Sequence, residues 1–284
     1  MRKVLALVLL LSACNSPAAI DDVAPAPVDT TLAPTVETTV FEPQASVATM
    51  VTDGLPVEVF APTEPGPYPV LVTVHGGGWV GGSPDHMAPL ADALAGENVV
   101  VFNITYTTMS DGGRFPDMVE DVACGVAHAR ANASEYTTTP ERVFIAGFSA
   151  GAHLSALVAF APVTFTCPDG GIAVPDGFIG LAGPYDTDRI TILATLFGAT
   201  IEEAPDTWAA GNPLNYTESA PDIPILLIHG DADTTAPISF TEQLHEALTA
   251  AEADVTFEIL PGGTHPDAAD PNVVGDLVAA FLER

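Results

Sequence analysis

The chain has 284 residues, 48% of them hydrophobic, which is enough for a large core and excludes disorder of the whole chain. Its 37 acidic residues against 7 lysines and arginines give a formal net charge of −30, a field that repels nucleic acid and anionic lipid headgroups. The single lysine, Lys3, lies at the extreme N-terminus, so phosphate loops of the G-x-x-x-x-G-K type and pyridoxal Schiff bases are excluded from the folded part. A small neutral molecule is the expected partner.

The N-terminus has the pattern of an export signal. Two basic residues precede an apolar run, Val4 to Leu11, which is too short to span a bilayer as a mature helix. Leu11-Ser12-Ala13-Cys14 resembles a bacterial lipobox, which implies cleavage before Cys14 and diacylation of that cysteine. An ordinary signal peptide with an incidental cysteine is the alternative. We therefore expect residues 1–13 to be a lipoprotein signal peptide, and the protein to be a cell-surface lipoprotein that touches the membrane only through the lipid on Cys14, or otherwise to be secreted.

Residues 14–50 are rich in Pro, Ala, Thr and Val without lasting periodicity, which predicts a disordered tether before a catalytic domain at 51–284. In an exported protein Cys124 and Cys167 can be oxidised, so a disulfide between them is one hypothesis and two buried thiols the other. Three cysteines without C-x-x-C spacing do not predict zinc, and no metal site is expected.

Beyond residue 50, apolar runs alternate with amphipathic segments. This alternation predicts an α/β fold, with a mostly parallel central sheet and helices on both faces. Residues 182–216 are irregular and are predicted to form an insertion near the carboxyl edge of the sheet, where ligands bind in such folds. The predicted strands are Val57–Pro62, Pro69–Val74, Asn98–Tyr106, Arg142–Phe148, Phe178–Leu181, Ile223–His229 and Asp254–Leu260. The predicted helices are Met87–Ala95, Met118–Ala133, Ala150–Phe160, Ile190–Leu196, Pro237–Ala251 and Val273–Leu282.

The first chemical signal is a G-x-S-x-G motif, Gly147-Phe148-Ser149-Ala150-Gly151, where a predicted strand meets a predicted helix. Glycines at both ends allow a tight turn that would hold Ser149 above the sheet edge. The N–H of Ala150 would lie at a helix start, where negative charge is favoured.

A second signal, His75-Gly76-Gly77-Gly78-Trp79, directly follows a predicted strand, and its glycines can present backbone N–H groups to an oxyanion. The same glycines, with Gly81, also match the dinucleotide fingerprint G-x-G-x-x-G. That fingerprint requires an immediate helix and an acid at the end of the next strand. Ser83-Pro84 delays the helix and the next strand has no carboxylate, so the oxyanion interpretation is favoured.

An acid and a base are predicted on loops after the last two strands. Asp231 and Asp233 follow the strand that ends near His229, and His265 follows the strand that ends at Leu260. Either aspartate could orient the histidine, which in turn could deprotonate Ser149. All three loops would lie at one edge of the sheet.

Together these motifs resemble α/β-hydrolases of the carboxylesterase type, namely the feruloyl-esterase-like (BD-FAE) and hormone-sensitive-lipase-like esterases, over about residues 55–284. The resemblance implies Ser149, Asp233 and His265 as catalytic residues. It also implies the amides of Gly77, Gly78 and Ala150 as the oxyanion hole.

We therefore expect a serine esterase that hydrolyses short-chain or aryl carboxylic esters through an acyl-enzyme, without a cofactor. An arylformamidase-like or peptidase-like amide hydrolase with the same triad is the alternative, and a non-catalytic binding domain on this scaffold is a further one. Trp79, Phe148 and Tyr185 are predicted to line the substrate pocket, although core aromatics would look the same in a sequence. His75 and His229 are interpreted as hydrogen-bonding or packing residues.

Overall fold

The computed structural model describes residues 45–52, 54–64, 66–168, 170–171 and 173–284. The predicted signal peptide 1–13, the lipidation site Cys14 and most of the predicted tether lie outside the described residues. Within the described ranges, no helix is both long and apolar enough to cross a membrane.

Among the described residues, eight strands form one sheet: β1 Ala45–Thr52, β2 Leu55–Pro62, β3 Val70–Val74, β4 Val100–Ile104, β5 Val143–Phe148, β6 Phe178–Leu181, β7 Ile225–Gly230 and β8 Val255–Leu260. Their order across the sheet is β1-β2-β4-β3-β5-β6-β7-β8. β1 pairs antiparallel with β2, β2 pairs antiparallel with β4, and every other neighbouring pair is parallel. The predicted mostly parallel sheet is therefore confirmed.

The edge strand β1 corrects the predicted domain boundary. Residues 45–50 were assigned to the disordered tether, but the structure pairs Ala45–Thr52 with β2 along its whole length. Thr52 pairs with Leu55, so two residues connect the strands, and their sequence, Asp53-Gly54, is typical of two-residue hairpin turns. The tether prediction missed β1 because its composition resembles the Thr- and Val-rich segment before it.

Helices cover both faces of the sheet. Within the described residues they are α1 Ala88–Gly96, α2 Asp117–Asn132, α3 Ala150–Phe160, α4 Leu193–Leu196, α5 Pro205–Ala210, α6 Ser239–Ala250 and α7 Pro271–Leu282. Side chains alternate along β3, so that Val70, Val72 and Val74 join the hydrophobic cluster under α2, α3 and α6. Leu71 joins the cluster under α1 and α7. Since both faces are covered, β3, β4, β6 and β7 are buried throughout, as their continuous apolar runs predict.

The carboxyl ends of the parallel strands place the sequence motifs together. The glycine loop follows β3, Ser149 follows β5, the two aspartates follow β7, and His265 follows β8. The predicted irregular insertion follows β6 at the same edge. It contains the short helices α4 and α5 instead of the single predicted helix Ile190–Leu196.

Candidate active site

Ser149 occupies a strained turn between β5 and α3. Its backbone has φ 54° and ψ −120°, a conformation that costs a non-glycine residue on the order of 1–3 kcal/mol. The flanking glycines are required by close backbone contacts: a Cβ on Gly147 would overlap the carbonyl oxygen of Gly151, and a Cβ on Gly151 would overlap that of His75. Packing of the loops around the turn therefore holds the hydroxyl of Ser149 in place.

A continuous hydrogen-bonded chain joins Ser149, His265 and Asp233. The Nε2 of His265 lies 2.9 Å from the Oγ of Ser149, and its Nδ1 lies 2.6 Å from the Oδ2 of Asp233. A carboxylate only accepts hydrogen bonds, so Nδ1 carries the proton and Nε2 accepts from the serine hydroxyl. The side chain of Asp233 is fully buried, and its Oδ1 accepts from the backbone N–H groups of Thr235 (2.8 Å) and Ala236 (3.0 Å).

The structure separates the two candidate acids. Asp231 is exposed, and its Oδ1 accepts a hydrogen bond of 2.6 Å from the backbone N–H of Gly262. This contact ties the loop after β7 to the loop after β8. Asp231 therefore supports the loop that carries His265, whereas Asp233 contacts the imidazole itself.

His229 also contacts the acid, which the sequence interpretation missed. Its Nε2 donates to the carbonyl oxygen of Ala236 (2.7 Å) and lies 3.1 Å from the Oδ2 of Asp233, while its Nδ1 accepts from the hydroxyl of Thr241 at 2.7 Å. Burial lowers the pKa of His229, so the ring is neutral. The sequence did carry a signal for this contact, because Asp233 follows His229 by four residues at the end of a buried strand. His229 positions Asp233.

The glycine loop places unused backbone donors beside Ser149. Gly77 and Gly78 have φ of 129° and 59°, in the left-handed region that glycine adopts without strain. Within the part of the chain that the structure describes, the N–H groups of Gly77, Gly78 and Ala150 donate no hydrogen bond to the protein. Gly78 lines the same cavity as Ser149. These three amides are therefore free to bind a negatively charged oxygen.

Two buried histidines hold the glycine loop. His75 bonds the carbonyl oxygen of Gly76 through Nδ1 (2.7 Å) and the hydroxyl of Thr105 through Nε2 (3.0 Å). His153, in α3, accepts a hydrogen bond of 3.1 Å from the indole N–H of Trp79. Burial lowers the pKa of His153 to about 4, so its ring is neutral at pH 7. These contacts give both histidines a structural role, which is to anchor the glycine loop.

The structure divides the three aromatic residues that were predicted to line the pocket. Trp79 lines a cavity of about 370 Å³ that opens beside Ser149. Phe148 lines a separate cavity of about 580 Å³, and its ring centroid lies 4.9 Å from that of His265. The prediction for Tyr185 is wrong, because its side chain is fully buried against β6 and is not among the residues that line either cavity. The side chain of Tyr185 fits there because residue 180 is a glycine: a Cβ on Gly180 would overlap the tyrosine hydroxyl.

The structure joins Cys124 to Cys167 by a disulfide, which was one of the two hypotheses for these residues. Cys124 lies in α2 and Cys167 in the segment after α3. The bond closes a loop with a sequence separation of 43. Among the described residues, no group of three or more His, Cys, Asp or Glu side chains is placed to hold a metal ion.

Comparisons with known families and sequences agree with this architecture. The BD-FAE family model matches residues 57–165, and the model of the prolyl oligopeptidase family matches residues 117–283. The esterase LipC of Mycobacterium tuberculosis is 30% identical over 244 residues, which cover 78% of this chain and 59% of that protein. A probable isoprenylcysteine alpha-carbonyl methylesterase of Arabidopsis thaliana, ICMEL2, is 29% identical over 224 residues, which cover 72% of this chain and 53% of that protein. The chain thus spans between half and three fifths of the length of these relatives.

Solved structures show the same fold. A truncated carbohydrate esterase from gut microbiota has a TM-score of 0.75 at 24% identity, with 86% of this chain and 98% of that chain covered. Esterase 2 of Thermogutta terrifontis, bound to butyrate, has a TM-score of 0.71 at 21% identity, with 85% of this chain and 94% of that chain covered. The predicted resemblance to carboxylesterase-type α/β-hydrolases is confirmed.

Proposed function

The chain belongs to the prolyl oligopeptidase family within the α/β-hydrolase fold, and on that premise we propose that it is a serine hydrolase of carboxylic esters. The observation that carries the proposal is the unbroken chain from the Ser149 hydroxyl through His265 to the buried carboxylate of Asp233. A hydroxyl is a weak nucleophile until a base removes its proton, and this arrangement supplies the base with its tautomer already set.

The reaction follows from the geometry. Ser149 Oγ attacks the ester carbonyl while His265 Nε2 takes its proton, and Asp233 stabilises the imidazolium that forms. The tetrahedral oxyanion is bound by the amides of Gly77, Gly78 and Ala150, and each such donor lowers the barrier by about 3–4 kcal/mol. The imidazolium returns the proton to the leaving alcohol, which leaves an acyl-enzyme. Water activated by His265 then releases the acid.

Short-chain or aryl esters are the proposed substrates. The cavity beside Ser149 holds about 370 Å³, near the lower limit of small-molecule sites, which favours a small acyl or alcohol group. The two relatives described above, LipC and ICMEL2, carry esterase names, which favours ester over amide hydrolysis.

Covalent labelling and turnover test the proposal together. We expect a fluorophosphonate to label the protein and p-nitrophenyl acetate or butyrate to be hydrolysed, and Ser149→Ala to abolish labelling and reduce turnover by about 10⁴–10⁶-fold. Ser155→Ala is the matched control: Ser155 lies in α3, the helix that directly follows Ser149, and its buried hydroxyl has no hydrogen-bond partner among the described residues. Retained hydrolysis in Ser149→Ala would refute the assignment of the nucleophile. Faster cleavage of p-nitroanilides or formylkynurenine than of esters would instead support the amide hydrolase.

We further propose that the protein is exported and anchored through Cys14, which the basic, apolar and lipobox-like order of residues 1–14 supports. In a bacterial host, labelled palmitate should be incorporated into the full chain and the protein should partition into detergent. Both properties should be lost in Cys14→Ala. Export of an unlabelled, detergent-independent protein would favour the ordinary signal peptide.

A further inference from the structure

The cavity beside Ser149, which we name the serine cavity, has a single charged side chain among the described residues that line it. That side chain is Arg189, in the one-turn helix Thr187–Arg189 after β6. The rest of the lining is apolar or neutral, with Trp79 and Phe240 as its largest members. No carboxylate lines the serine cavity within the described part of the chain, although acids outnumber bases 37 to 7.

Arg189 has no anionic partner among the residues that the structure describes. Arg130 pairs with Asp176 at 2.7 Å and Arg284 with Asp254 at 3.3 Å. The guanidinium of Arg189, by contrast, forms no ion pair and donates no side-chain hydrogen bond to any described residue. Its Cζ lies 4.8 Å from the ring centroid of Phe240. The ring face attracts the cation and limits its motion while the N–H groups stay available.

An unpaired guanidinium in this position is suited to bind a carboxylate. Its planar N–H groups match the two oxygens of a carboxylate, and such charged hydrogen bonds are among the strongest in proteins. The net charge of −30 repels anions from the protein as a whole, so an anionic substrate needs a local positive charge near the nucleophile. Arg189 is itself exposed, and Arg142 and Arg284 also stack on phenylalanine rings, so exposure and stacking alone are equally consistent with a solvated surface charge. What distinguishes Arg189 is its place in the lining of the serine cavity, beside Ser149 and without an acid among the described lining residues.

We propose that Arg189 binds a free carboxylate carried by the ester substrate, so that the preferred substrates are short esters with a second, anionic carboxyl group. Monoesters of dicarboxylic acids are the simplest members of this class. A spherical cavity of 370 Å³ would be about 9 Å across, which accommodates a linker of a few carbons between the two carboxyl groups. The inference rests on the proposed esterase function and replaces the neutral substrate expected from composition with an anionic one.

The test compares two esters of matched length, monoethyl adipate and ethyl hexanoate, with release of acid followed in a pH-stat. We expect the full enzyme to have the higher kcat/KM for monoethyl adipate. Arg189→Met should reduce the ratio of the two kcat/KM values at least tenfold, mainly through the KM of the anionic ester. Arg189→Glu should reduce it further, because the new carboxylate repels the substrate.

Arg142→Met is the matched control. Arg142 also stacks on a phenylalanine, with its Cζ 4.7 Å from the ring centroid of Phe144, but it lies before β5, at the sheet edge opposite Ser149. The ratio should be unchanged in this variant. Equal ratios in the wild type and in Arg189→Met would overturn the inference while leaving the esterase proposal intact. Failure of the wild type to hydrolyse either ester, or any p-nitrophenyl ester, would overturn both.

Discussion

The neutral imidazole of His153 makes the stability of this protein depend on pH in a predictable way. The ring is fully buried in α3, accepts from the indole of Trp79 through Nδ1, and donates from Nε2 to the carbonyl oxygen of Gly211 at 2.8 Å. A proton on Nδ1 would set two N–H donors against each other. Burial also opposes the charged form, and it lowers the pKa of His153 from 6.5 to about 4.

The size of the effect follows from the linkage between protonation and unfolding. Below pH 6.5 the unfolded chain binds a proton at His153, while the folded chain stays neutral until about pH 4. The stability due to the neutral ring is therefore fully present above pH 6.5 and is lost as the pH falls. Between pH 8 and pH 5 the loss amounts to about 2 kcal/mol. With an m-value of about 3 kcal/mol per molar, the urea midpoint falls by about 0.7 M.

The assay is urea denaturation of the wild type and His153→Gln at several values between pH 8 and pH 5. Glutamine can accept from Trp79 and donate to Gly211, but it does not titrate. Contributions from the other groups, including His75 and His229, whose pKa values burial also lowers, cancel in the difference between the two proteins. We expect the wild type to lose about 2 kcal/mol more than the variant over this range. Parallel pH dependence in the two proteins would refute the buried neutral state of His153.

Three further predictions concern the acid, its neighbour and the disulfide. Asp233→Asn should lower kcat/KM by about 10³–10⁴-fold because the His265 tautomer is no longer set, whereas Asp231→Asn should lower it by less than about tenfold. If Asp231→Asn had the larger effect, Asp231 and not Asp233 would be the catalytic acid. His229→Gln should lower kcat about tenfold with little change in KM, since it releases Asp233; unchanged steady-state kinetics would contradict the positioning role. Replacing Cys124 and Cys167 by serine should lower the free energy of unfolding by about 4 kcal/mol, from the entropy of closing a loop of separation 43. A melting temperature that does not respond to reductant would contradict this last prediction.

Local sequence determined the elements of the fold. The valine-rich run Val70–Val74 predicted a strand covered on both faces, and the glycines around Ser149 predicted the strand-to-helix turn that the structure contains. β1 escaped prediction because hairpin pairing, and not composition, makes it a strand. α5 escaped because a helix of six residues shows too little periodicity to be read from sequence.

The sequence by itself determined the order of the motifs, the candidate nucleophile and the candidate base, because each follows a recognisable strand. The residue pattern alone left Asp231 and Asp233 open, since both lie on one loop, and the family resemblance implied Asp233. The fold shows that the carboxylate of Asp233 is the one that contacts His265, whereas Asp231 bonds the backbone of Gly262. Tertiary structure alone also decided that Tyr185 belongs to the core and that Arg189 lies in the serine cavity, where no described residue supplies it with an acidic partner. The physical reason is that burial and pairing depend on which distant segments meet, and a segment's own residue pattern carries no record of its partners.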